Sequence, residues 1–184
     1  MCAQKWADIS DGNYGVSLLN NCKYGHSAEG STLCLTLIKC ATFPNPHADK
    51  GMHYFTYSLL PHEGDYRKGN TVQEAYLLNR PLEAISVKNQ TGKLNENYSL
   101  IKCNRENVII EAVKKAEDSE DLIIRLYDAY DITTDCELLF GFEVGKAYIC
   151  DMLENNISAL NVNNNKISIT VKNFEIMTLK ICRQ

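Results

Sequence analysis

Apolar positions along this chain come in short runs broken by polar turns, and they recur at helical spacing in one place only. Runs of that kind predict strands at Gly15–Leu19, Ser31–Cys40 and Tyr54–Leu60, the last closed by Pro61. After a gap they predict Ala84–Val87, Leu100–Cys103, Val108–Lys114, Leu122–Tyr127, Glu137–Phe142, Ala147–Met152, Ala159–Val162, Ile167–Val171 and Glu175–Ile181. The connectors Thr91-Gly92, Glu117–Asp121, Gly145-Lys146 and Asn163–Asn165 carry turn residues. The asparagines of the last can adopt the positive φ that two-residue hairpin turns demand. The one helical stretch is Val72–Leu78: Asn70 or Thr71 stands where a cap is needed, Gln73 or Glu74 can complete it, and Pro81 ends it. Strands at short, even intervals with a single short helix predict a mainly β protein, an antiparallel β-sandwich formed as one domain over residues 1–184.

Two segments interrupt the pattern. Asn20 to Gly30 runs polar and aromatic out of the Gly15–Leu19 strand, and Pro44 to His53 holds two prolines and a glycine. Both read as working loops presented by a β-scaffold. Before them, Met1–Gln4 leads into Lys5–Ser10 with neither cap nor strand pattern, which suggests a piece of a longer chain.

Charge and cysteine usage narrow the partners. The net charge of −4 is interspersed, so the basic footprint that nucleic-acid binding needs is absent. No apolar run approaches the roughly 20 residues that cross a bilayer, and the first residues lack a basic-then-apolar leader. The expectation is a cytoplasmic chain with no membrane partner. The eight cysteines are scattered, mostly within apolar runs and with no C-x-x-C, which predicts buried free thiols in place of zinc ligands. Sequons occur at Asn89, Asn97 and Asn156.

Candidate chemistry is sparse. Carboxylate pairs for sugar hydrolysis would come from Asp118, Glu120, Asp121, Asp128, Asp131 and Asp135, all in connectors that read as solvated turns. His47, Asp49, His62 and Asp65 are the residues from which a metal site could be drawn, but no second histidine stands at helical spacing. Cys22 beside Lys23 is a potential nucleophile, with His26 as the nearest base. Tyr54, Phe55, Tyr57 and Tyr66 could stack on sugar faces, or equally fill a core. No complete active site assembles, so no catalytic residue and no metal ligand is assigned to this chain.

The segments KWADIS (5–10), YGVSLLNNCKYG (14–25), GSTLCLTLIKC (30–40), PNPHADKGMHYFTYSLLPHEGDYR (44–67), VIIEAVKKAEDSEDLIIRLYDAY (108–130), FGFEVGKAYICDMLE (140–154) and VKNFEIMTLKI (171–181) resemble the C-terminal region of glycoside hydrolase family 38 α-mannosidases, in the cytosolic and bacterial type. The resemblance covers essentially the whole chain and implies a galactose-mutarotase-like, family 38 C-terminal β-sandwich. It also implies retaining hydrolysis of terminal α-linked mannose from oligosaccharides, by a zinc-dependent N-terminal catalytic domain that is not in this chain. No cofactor is then expected in the chain itself, which alone should not cleave mannosides. Its partners would be its own N-terminal catalytic domain and a mannose-containing oligosaccharide; an apolar face left bare without that domain would let copies of the chain self-associate.

The same likeness marks Asn21, Lys23, Tyr24, Lys39, Asp49 and His53 as residues facing the substrate cleft or the domain interface. Two of them depart from the pattern: Asn21 stands where the family has aspartate, and Lys39 where arginine is more frequent. The alternative from another class is an independent carbohydrate-binding β-sandwich module using Tyr54, Tyr57 or Tyr66.

Overall fold

The computed structural model describes residues 1–88 and 91–183. Asn89, the first sequon, lies outside them. Where one sandwich over 1–184 is the expectation, the chain packs as two compact units, Met1–Val87 and Lys88–Gln184.

In the first unit, strands β1 (Trp6–Ser10), β2 (Tyr14–Asn20) and β5 (Tyr57–Glu63) form an antiparallel sheet in the order β1-β2-β5. A hairpin, β3 (His26–Glu29) with β4 (Thr32–Leu35), turns at Gly30, whose φ of 55° a glycine accepts without strain. Helix α1 (Thr71–Asn79) buries Thr71, Val72 and Ala75. Its cap differs from the expected one. Asn70 sits at the N-cap in a left-handed conformation with no side-chain cap bond, and the Thr71 hydroxyl is 2.6 Å from Ser17 Oγ instead.

Several predicted boundaries move for physical reasons. β1 was not foreseen because its inward side chain Asp8 is polar, and alternation reads as absent when a buried position carries a carboxylate. The Ser31–Cys40 strand shrinks to Thr32–Leu35, since only those residues pair with β3; Leu37 and Ile38 are left exposed. β5 starts at Tyr57 and runs through Pro61. Proline is tolerated there because β5 is an edge strand. Ala84–Val87 forms no strand: Ile85 and Val87 are 80% and 69% exposed and have no pairing partner among the described residues.

The second unit is a two-sheet sandwich. One sheet has the order β11-β10-β14-β8-β7, from β7 (Val108–Lys115), β8 (Leu122–Asp128), β10 (Val144–Cys150), β11 (Asn156–Leu160) and β14 (Ile176–Arg183). The other has the order β12-β13-β9-β6, from β6 (Ile101–Cys103), β9 (Thr134–Phe140), β12 (Val162–Asn163) and β13 (Lys166–Val171). Ile124, Leu126, Leu179 and Ile181 from the first sheet meet Leu138, Phe140, Ile167 and Val171 from the second in one core. Burial of each such side chain contributes about 2 kcal/mol. The β12–β13 turn uses Asn164 and Asn165 at φ 48° and 60°, as the asparagine run predicts.

The cysteines divide differently from the expectation. Cys136 and Cys150 are buried, Cys103 and Cys182 are half-buried, and Cys2, Cys22, Cys34 and Cys40 are exposed.

Candidate functional site

β2 ends at Asn20, a fully buried asparagine whose Oδ1 accepts the Lys23 N–H at 2.8 Å and whose carbonyl accepts a bond from Asn79 Nδ2 at 2.9 Å. The strand end is thus tied to α1 and to its own following turn. That anchoring aims Asn21–Tyr24 outward. Asn21 pairs with Thr56 in both directions, its N–H donating to the Thr56 carbonyl at 3.2 Å and its Oδ1 accepting the Thr56 N–H at 2.9 Å. Only the acceptor oxygen of the side chain is used in this bond, so an aspartate would make it equally well.

The second loop folds back on itself. Asp49, at φ 57°, accepts the Cys40 N–H on Oδ2 at 3.1 Å, and its carbonyl accepts a bond from His53 Nε2 at 2.8 Å. That contact requires the proton on Nε2. Lys23 Nζ lies 4.8 Å from the centre of the Phe55 ring.

These constraints bring Lys23, Lys39, Asp49 and His53 around one cavity of about 400 Å³, with Gly25 and Thr36 in its wall. Asn21 and Tyr24 flank it without lining it; the Tyr24 side chain is half exposed and its carbonyl accepts the Ala3 N–H at 3.0 Å. Two lysines, a histidine and an aspartate thus line the cavity, with His53 Nε2 and one Asp49 carboxylate oxygen already bonded to the loop backbone. Such a set can orient a hydroxylated or partly charged ligand, and it lacks a nucleophile held by a base.

Other candidates fall elsewhere. His26 is buried with Nδ1 3.3 Å from the Tyr24 carbonyl, whereas Cys22 is exposed, and no hydrogen bond joins the two. His62 is buried with Nε2 2.7 Å from Asp8 Oδ1 and 3.2 Å from Ser17 Oγ, while Asp65 is paired to Arg67 at 2.6 Å and His47 contacts Lys50 at 3.3 Å. The four residues proposed for a metal therefore serve separate contacts, and no group of three or more potential ligands is found among the described residues. Tyr66 stacks on Trp6 with ring centres 5.0 Å apart, whereas Tyr54 and Tyr57 are 88% and 54% exposed. Asp128, read as part of a solvated connector, is buried.

Sequence reasoning missed the Asp8, Ser17, His62 and Thr71 cluster. Ser17 Oγ is 2.6 Å from both Asp8 Oδ1 and Thr71 Oγ1. The order of contacts differs from a hydrolytic triad, because one imidazole nitrogen faces the serine and the aspartate together. The cluster locks α1 to the β1-β2-β5 sheet.

Comparison with known proteins decides the family. Residues 1–47 match the glycosyl hydrolases family 38 C-terminal domain, and residues 107–179 match the glycosyl hydrolases family 38 C-terminal beta sandwich domain. Alpha-mannosidase 2C1 of Homo sapiens is 36% identical over 99% of this chain. The chain belongs to glycosyl hydrolase family 38. It corresponds to the family's C-terminal region, and it spans 18% of the length of the human relative. An alpha-mannosidase of Saccharomyces cerevisiae is 27% identical over 98% of the chain, again with 18% of the relative's length covered. An alpha-mannosidase structure from Enterococcus faecalis shares the fold with a TM-score of 0.77, at 24% identity, covering 98% of this chain and 21% of that one. The first family 38 match ends at His47, inside the second cavity loop.

Proposed function

We propose that this chain is the C-terminal β-region of a retaining α-mannosidase, which packs on a zinc-dependent N-terminal catalytic domain and completes the substrate cleft without performing the chemistry. The observation that carries this reading is the convergence of Lys23, Lys39, Asp49 and His53, from two separate loops, on one cavity that holds polar recognition groups and no nucleophile–base pair. The lengths of the relatives support it, since each extends far beyond the region matched here. The loops around the cavity also expose Phe43, Met52 and Tyr54, side chains suited to cover by a partner domain. The substrate is an oligosaccharide ending in α-linked mannose, and the working compartment is the cytoplasm.

An activity assay tests the division of labour. The 184-residue chain should release no mannose from an aryl α-mannoside, with or without added zinc, while the longer enzyme turns over. In the longer enzyme, Asp49→Ala and His53→Ala should raise KM with kcat little changed, because they remove binding and leave the reacting groups intact. Turnover by the short chain alone sinks the reading.

The exposure of Tyr54 and Tyr57 favours a second reading, an independent carbohydrate-binding module. Calorimetric titration of the chain with mannobiose separates the two. Under the first reading the heats stay at the dilution level up to millimolar sugar; saturable binding that Tyr54→Ala abolishes would establish the module.

A further inference from the structure

We propose that Cys103 and Cys136, on neighbouring strands of the smaller sheet, form a peroxide-reactive dithiol that closes to a disulfide. The register places them together. Cys103 on β6 stands opposite Leu138 on β9, so Cys136, two residues before Leu138, is its diagonal neighbour on the same face of the sheet. Both thiols are free; Cys136 belongs to the core and Cys103 packs half-buried against it.

Exposure and electrostatics favour Cys103 as the attacking group, because Cys103 is half-buried whereas Cys136 is buried. A cavity of about 400 Å³, lined by Asn104, Arg105, Asp135, Cys136 and Glu137 among others, reaches the pair on its Cys136 side. Arg105 is held at this edge by a bond from its Nε to the Asp135 carbonyl at 3.1 Å. A hydrogen bond from the Cys136 thiol, helped by backbone N–H groups of Arg105 and Asn104 and by the Arg105 charge, pulls the Cys103 thiol down to about 6 against the opposing effect of burial. The same bond, burial and the neighbouring thiolate charge push the Cys136 thiol up, so it keeps its proton. Thiolate character combined with access marks the cysteine that oxidises first.

The reaction balances with hydrogen peroxide as oxidant. The Cys103 thiolate attacks one peroxide oxygen, the O–O bond breaks, and a sulfenic acid and hydroxide form. Losing the thiolate removes the charge that made Cys136 hold its proton. The Cys136 sulfur then attacks the sulfenic sulfur and an S–S bond forms. The sulfenic hydroxyl leaves with the thiol proton as water, so two thiols and one peroxide give one disulfide and two waters.

Peptide mapping of the 184-residue chain after brief exposure to dilute hydrogen peroxide tests this. The expected product is a Cys103–Cys136 cross-linked peptide, lighter by two hydrogens and restored by dithiothreitol. In Cys136→Ala the reaction should stop at Cys103, leaving a sulfenic acid that dimedone traps at that residue. In Cys103→Ser no cross-link forms. Should Cys136→Ala fail to fold because its site is buried, the wild-type map and Cys103→Ser still decide. Oxidation confined to the exposed Cys2, Cys22, Cys34 and Cys40, or a Cys103 sulfenic acid persisting in the wild type beside an unmodified Cys136, overturns the proposal.

Discussion

Replacing Asp128 with alanine should cost the second unit about 3 kcal/mol of stability. The carboxylate is 1% exposed at the end of β8 and is bound by four donors. Asn107 Nδ2 donates to Oδ1 at 2.7 Å and the Tyr130 N–H to the same oxygen at 3.2 Å; the Ile132 and Phe174 N–H groups donate to Oδ2 at 3.1 and 3.0 Å. One side chain thus closes the β8–β9 connector and joins it to the turn before β14. Truncation removes the acceptor and leaves several of those donors short of a partner, which costs more than the bonds themselves contributed.

The same site sets an acid limit. Burial opposes the charge, but the Asn107 amide and the Phe174, Ile132 and Tyr130 N–H groups outweigh it and hold the Asp128 carboxyl below its ordinary value of 3.8. A depressed folded pKa means the stabilisation is complete above the unfolded value. It is lost as pH falls below about 4 towards the folded value. Urea unfolding followed by far-ultraviolet circular dichroism should therefore show a wild-type midpoint that drops at the acid end. Asp128→Asn, which keeps one acceptor oxygen and cannot ionise, should lie between wild type and alanine and lose that part of the acid dependence. A midpoint for Asp128→Ala within 0.5 kcal/mol of wild type, about the size of an ordinary surface change, would refute the organising role.

The sandwich of the second unit was legible in the sequence because its strands alternate cleanly. Ile167, Ile169 and Val171 point into the core between polar neighbours, and the Asn164-Asn165 turn announces its hairpin. The first unit was harder to read, since Asp8, Ser17, His62 and Thr71 are polar residues whose side chains the fold buries and satisfies through one another. Periodicity counts a buried aspartate as a solvent position. The cavity loops were legible as loops from their glycine and proline content, but the meeting of Lys23 and Lys39 with Asp49 and His53 depends on backbone bonds between distant residues, such as Asn21 with Thr56. No local pattern encodes those. The likeness to family 38 supplied these residues as a set, and the fold brings four of the six around one cavity.

Gly15→Ala should destabilise the first unit by about 3 kcal/mol for a reason of space. Gly15 lies opposite His62 in the β2–β5 register and opposite Ser10 in the β1–β2 register, and the imidazole crosses it to reach Asp8. A Cβ at this glycine would sit 2.4 Å from His62 Cε1 and 2.7 Å from Ser10 Cβ. On the other side, a Cβ at Gly69 would come within 2.4 Å of His62 Cγ. The ring is held between two glycines and has little room to yield. An alanine at either position must push it off Asp8 and leave a buried carboxylate with one partner fewer. Trp6, the protein's single tryptophan, stacks on Tyr66 in the same unit, so its fluorescence reports this unfolding directly. The double variant Gly15→Ala/His62→Ala separates a collision from a loss of glycine's backbone freedom. If the ring is the obstacle, removing it relieves the clash and the double variant is less destabilised than the sum of the single changes, by more than the roughly 0.5 kcal/mol expected of independent sites. Strict additivity, or a Gly15→Ala midpoint equal to that of Gly92→Ala, where a Cβ meets nothing within 4 Å, would show that the imidazole is not clamped in this way.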